Sequence, residues 1–84
     1  MIVRMWEARA QPNGLPALIG WVCERVLPMV EVDPTHISSE LFSSTDDRLV
    51  VISKWRSTPM AFADPPRNLV LRRPQWWDFA PVDC

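Results

Sequence analysis

The sequence predicts an α+β domain of four strands and two helices in the order β-α-β-β-α-β. Three observations carry that expectation. Residues 1–9 and 48–56 alternate with period two and are apolar on both faces. Residues 15–30 place apolar side chains at spacings of three and four. Clusters of Pro, Asn, Gly, Ser and Asp separate these segments. At 84 residues there is room for one domain, residues 1–84. A monomer of this size hides only roughly 60–65% of the surface its unfolded chain exposes. Yet 48% of its residues are hydrophobic and five are Trp.

The first strand is expected over residues 1–9, with Ile2, Arg4, Trp6 and Ala8 on one face and Met1, Val3, Met5 and Glu7 on the other. Gln11-Pro12-Asn13-Gly14 is turn chemistry, because Pro fixes φ and Asn-Gly tolerates positive φ. A helix follows from residue 15 to about 30, burying Leu18, Trp21, Val22, Val26 and Met29. Cys23 falls inside this pattern and is expected as a small buried hydrophobe. Pro28 should distort the last turn or end the helix near Leu27. Residues 36–43 form a half-polar second strand, with Ile37, Ser39 and Leu41 on one face and His36, Ser38, Glu40 and Phe42 on the other. A polar turn at 44–47 leads into the third strand, 48–56. Asp64-Pro65-Pro66 resembles a helix start, giving a short second helix over 66–73 stopped by Pro74. The alternative makes 68–71 a strand. The last strand is expected over 76–82, where Trp76 and Trp77 must point to opposite faces.

That order is the split βαβ, ferredoxin-like arrangement, a four-stranded antiparallel sheet whose central strands are the first and third. Those are the two strands that are apolar on both sides. Two helices cover one face of such a sheet, so the other needs a partner. A second copy of the chain is the simplest one, pairing sheet to sheet as a dimeric α+β barrel.

Composition excludes several functions. No apolar run approaches the ~18 residues of a membrane-spanning helix. A net charge of −1 with no basic stripe argues against nucleic acid as a partner. No secretory leader is visible at Met1, so a cytoplasmic protein with two reduced cysteines is the expectation. One His and no Cys-x-x-Cys leave no ligand set for a structural metal.

The opening MIVRMWEAR, the Pro-Asn-Gly turn into a helix, HISSELFSS and especially RLVVISKWRS resemble the antibiotic-biosynthesis-monooxygenase-like proteins of the dimeric α+β barrel superfamily. The resemblance covers residues 1 to about 56, and Trp55 matches the Trp that commonly ends the family's third strand. It implies a homodimer with a pocket between sheet and helices in each subunit. It also implies binding, and in some members oxidation without metal or organic cofactor, of a small aromatic or hydrophobic molecule. Other members of that superfamily degrade haem, using an Asn on the first strand and an iron-ligating His in the second helical region. Here no Asn lies on the first strand and no His follows His36, so haem degradation is not expected and no cofactor is implied.

Four residues stand out as a site, and one arginine pair is weighed beside them. Trp55 could stack on an aromatic ligand and donate one N–H, or simply fill the core. Trp6 shares a strand face with Arg4, whose cation could stabilise a phenolate; the alternative places Arg4 at an interface, paired to an acid. His36 is the sole histidine, the residue type suited to proton transfer near neutral pH, or else an exposed strand residue. Arg72 and Arg73 suit a helix C-terminus, or could clamp an anion. The sequence leaves open whether the chain catalyses a reaction or is a non-catalytic dimeric module.

Overall fold

A computed structural model describes all 84 residues. Four strands, β1 (Ile2–Arg9), β2 (His36–Ser43), β3 (Arg48–Trp55) and β4 (Gln75–Phe79), form one sheet in the order β2-β3-β1-β4. Every pairing is antiparallel. The two strands that are apolar on both faces are therefore the two central ones, as the sequence requires. β4 is shorter than expected and ends before Pro81, which has no N–H for a ladder.

Asn13 takes the positive φ of the first turn, 61°. Gly14 does not, but a Cβ there would lie 3.0 Å from the Gln11 carbonyl oxygen, which accepts the Gly14 N–H. The helix then runs as α1 (Leu15–Trp21), a π-turn (Val22–Val26) and α2 (Leu27–Glu31). Pro28 has no N–H for the Glu24 carbonyl, and in a regular helix its ring would strike that carbonyl. The wider turn relieves this, with the Leu27 N–H donating to the Val22 oxygen five residues back.

The π-turn also resets the helix phase. Leu18 and Val30 are twelve residues apart and would sit about 120° apart on a regular helix. One extra residue in the wide turn removes most of that angle. Leu18, Val22, Val26 and Val30 are buried in line, while Met29, expected in the stripe, is 63% exposed. Cys23, expected to be buried, is exposed, because it lies about 140° round the helix from Leu18 while the buried line runs through Val22. Cys84 is exposed too, and both thiols are free.

The second helix is absent. Pro66 is extended, Arg67–Leu69 is a single 3-10 turn, and Val70 returns to extended backbone and bridges Ala10. Between Pro66 and Pro74 too few residues remain to offset the cost of helix nucleation. The backbone pairs with β1 instead: the Leu71 N–H donates to Arg9 O at 2.9 Å and the Gln11 N–H to Leu69 O at 3.0 Å. The strand alternative for 68–71 is met only by that one bridge.

The helix packs over β3 and β2. The β1–β4 end of the same face is covered by the loop 56–74, with Pro59 and Pro65 buried. The core is Trp6, Ala8, Leu18, Val22, Leu49, Val51, Trp55 and their neighbours. The opposite face of the sheet carries nothing. Val3, Met5, Val50, Ile52, Phe42, Trp77 and Phe79 lie on it, the last three 49%, 40% and 52% exposed. The molecule is a two-layer slab measuring 39 × 30 × 17 Å.

Candidate functional site

Replacement of the second helix by a loop opens a cleft of about 230 Å3 on the helix-bearing side of the sheet. Its floor comes from β1 and β4. Arg4 and Trp6 stand on the inner face of β1, and Trp76 lies directly across from Trp6 on β4. Its walls are Phe62 and Asp64 from one side of the loop and Arg73 and Pro74 from the other. Phe62 packs on Trp6 with ring centroids 5.5 Å apart and a 50° tilt. That geometry suits aromatic quadrupoles better than a face-to-face stack.

Arg4 is the best-positioned polar group. Its Nε donates to Asp78 Oδ1 at 2.7 Å and its Nη2 to Asp78 Oδ2 at 2.9 Å. The Trp76 ring lies 3.9 Å from the guanidinium carbon, stacked as a cation–π pair. Strand pairing explains the fork, because Arg4 and Asp78 are register partners. Donation from Arg4 holds the Asp78 carboxyl below the usual carboxylate range. Two of the three guanidinium nitrogens are thus committed, and Nη1 makes no hydrogen bond within the chain.

Trp55 stands elsewhere. It is fully buried, and its Nε1–H donates to Ser53 Oγ at 2.9 Å. Ser53, itself fully buried, is the register partner of Arg4. Trp55 therefore supports the sheet behind Arg4 and does not line the cleft.

His36 is also apart. A β-bulge between His36 and Ser38 moves its ring to the inner face. There it meets Trp55 edge-on at 5.1 Å, and its Nε2 lies 2.8 Å from Ser39 Oγ. Strict alternation places His36 on the face of Ser38, Glu40 and Phe42. The bulge reverses that one residue and leaves the others. The turn before it is set by Asp33, whose carboxylate accepts both the N–H and the hydroxyl of Thr35 at 2.8 Å. With β2 two strand spacings from β1, His36 is displaced sideways from Arg4 by about 10 Å.

So the structure joins Arg4 with Trp6 and leaves Trp55 and His36 outside. Trp76 and Trp77 point to opposite faces as expected, Trp76 onto Arg4 and Trp77 onto the uncovered side. Asp78, Phe62 and Asp64 were not singled out as site residues, whereas Arg73 was weighed with Arg72 as an anion clamp. Asp78 was legible, being two residues beyond Trp76 and so on the same strand face. Phe62 and Asp64 were not, since an irregular segment carries no periodicity. No group of three or more His, Cys, Asp or Glu side chains gathers to hold a metal. No helix is long and apolar enough to cross a membrane.

Three solved structures share this architecture over nearly the whole chain. Rv0793 from Mycobacterium tuberculosis superposes with a TM-score of 0.72 at 17% identity, covering 98% of this chain and 95% of that one. A monooxygenase from the gene ActVA-Orf6 of Streptomyces coelicolor, in complex with the ligand nanaomycin D, gives 0.74 at 13% identity, covering 99% and 88%. An antibiotic biosynthesis monooxygenase gives 0.70 at 11% identity, covering 99% and 100%. The chain has their fold. It is the α+β, ferredoxin-like fold expected from the sequence, with its second helix reduced to one 3-10 turn. No family model and no curated protein matches the sequence.

Proposed function

We propose that this protein is a homodimeric, monooxygenase-like protein that binds a small aromatic molecule in the Trp6–Trp76 cleft and oxidises it without a cofactor. The observation that carries the reading is an aromatic-lined cleft with an oriented guanidinium in its floor. A cavity of roughly 150 Å3 suffices for benzene, so about 230 Å3 suits one ring or two fused rings. Trp6, Phe62 and Trp76 offer the ring faces. Nη1 of Arg4, which makes no hydrogen bond within the chain, is the donor left for a phenolate or enolate oxygen. Stabilising that anion is the protein's part, because an electron-rich carbanion can react with oxygen directly. At an activated methylene, one oxygen atom of O2 becomes the new carbonyl and the other leaves as water with the two hydrogens of that carbon. Trp55 and Ser53 keep β1 in register behind Arg4. The nanaomycin D complex of a protein with the same fold supports an aromatic ligand class.

The uncovered sheet face supports the homodimer reading. The chain exposes 5556 Å2, against about 5,100 Å2 for a compact monomer of its mass. An identical sheet would cover the apolar centre of that face by a two-fold contact.

Oxygen uptake with anthrone- and quinol-type substrates tests the reaction. Turnover that falls in Arg4→Gln and Phe62→Ala supports it. A second reading, a non-catalytic ligand-binding module, is favoured by the neutralisation of Arg4 by Asp78. Binding of these compounds without oxygen uptake across the panel would establish that reading instead.

A further inference from the structure

The aromatic cleft does not end at its walls. It adjoins a broader groove of about 560 Å3, and the two share Asp64, Arg73 and Pro74 as a common rim. The groove is rich in cations, with Arg67, Arg72 and Arg73 on its lining and Asp64 as its only carboxylate. The three arginines differ in what they already hold. Arg72 donates to Glu7 at 3.1 Å and is committed. Arg67 and Arg73 have no carboxylate within 4.0 Å. The amide of Gln11, on the same lining, is spent on the Val70 carbonyl at 2.9 Å. In the aromatic cleft Arg4 is neutralised by Asp78. Unbalanced positive charge is thus concentrated just beyond the aromatic surface, where a substituent of a seated ring would emerge.

We infer that cleft and groove are one bipartite site and that its ligand is an aromatic acid, with the ring between Trp6, Phe62 and Trp76 and the carboxylate on Arg73 and Arg67. The inference rests on the proposed reading of the cleft as an aromatic site and names its ligand class. An arginine fork matches the two oxygens of a carboxylate, so it fixes orientation as well as sign. Asp64 lies on the same rim and opposes the anion, so its charge weakens acid binding.

Calorimetric titration with naphthalene-2-carboxylate and naphthalene-2-methanol separates the two halves, since the ring is the same and only the charge differs. The acid should bind roughly tenfold tighter than the alcohol at low salt, as expected of one charge-assisted contact. That preference should shrink at high ionic strength. It should shrink in Arg67→Gln, at a residue of the groove alone, with alcohol affinity unchanged, disappear in the Arg67→Gln, Arg73→Gln double variant, and grow in Asp64→Asn. Circular dichroism confirms that the variants stay folded. Equal affinities for the two probes, or a preference that survives in the double variant, overturn the acid inference while leaving the aromatic cleft standing. Failure of both probes to bind the wild-type protein removes the cleft reading, and the acid inference with it.

Discussion

Replacing Asp78 by Asn should weaken the fold and strengthen the cleft at the same time. Asp78 takes both forked donors of Arg4, at 2.7 and 2.9 Å. Arg4 has a side chain only 11% exposed, whereas Asp78 is 36% exposed. The pair therefore lies between an exposed ion pair, worth ~0.2–1 kcal/mol, and a buried one, whose breakage costs ~3–5 kcal/mol. Asn keeps one acceptor oxygen and loses the charge, and solvent at Asp78 screens part of that loss. A destabilisation of about 1–2 kcal/mol is expected, or roughly 4–16 °C in Tm for a domain of this size. Thermal unfolding of both proteins at matched concentration measures it, because a dimer's stability depends on concentration. The sign with pH is fixed. The folded-state pKa of Asp78 lies below its ordinary value, so the wild-type advantage is complete above an unfolded carboxylate pKa of ~3.9. It fades as the pH falls through the folded value. Meanwhile Arg4 is freed of its counter-charge, so phenolate ligands should bind Asp78→Asn more tightly than wild type. A stability gap under 0.3 kcal/mol at pH 7, or one that persists undiminished in acid, would refute the argument.

Ser53→Ala strips the acceptor from Trp55 Nε1 in a fully buried site. Leaving that donor unpaired should cost ~1–3 kcal/mol by urea unfolding, and a smaller loss would mean that water or another group reaches the indole. Ile52→Glu places a charge at the centre of the uncovered sheet face. In sedimentation velocity the wild type should run at twice the 9.7 kDa chain mass and the variant at the single-chain mass; a monomeric wild type would defeat the dimer proposal. Leu18→Ala, at a fully buried helix position, should lose ~2–5 kcal/mol, and a negligible loss would show that the helix is not seated as described.

The strands were legible because alternation reports burial directly. Residues 1–9 and 48–56 show apolar side chains on both faces, and they became the central pair. Backbone irregularities were not legible, and the misplacements trace to them. The bulge at His36 reverses one side chain without altering composition or spacing. The π-turn before Pro28 turns the helix so that Val30 replaces Met29 inside. In the segment 56–74, Asp64-Pro65-Pro66 carries the residues of a helix start, but the chain to Pro74 is too short to propagate one. Its carbonyls and N–H groups find β1 instead. The cleft exists because of that substitution of loop for helix. Hence Arg4 and Trp6 were visible as a strand pattern and Arg73 as half of an arginine pair, whereas Phe62 and Asp64 were visible only in three dimensions.

The central claim, that the cleft beside Arg4 is the ligand site, is tested most directly by nuclear Overhauser contacts between a bound naphthalene probe and the five tryptophans. Contacts are expected from the probe to Trp6 and Trp76 and to the Phe62 ring, with none to Trp55. Contacts to Trp55 and His36 with none to Trp76 would contradict it and place the site under the helix.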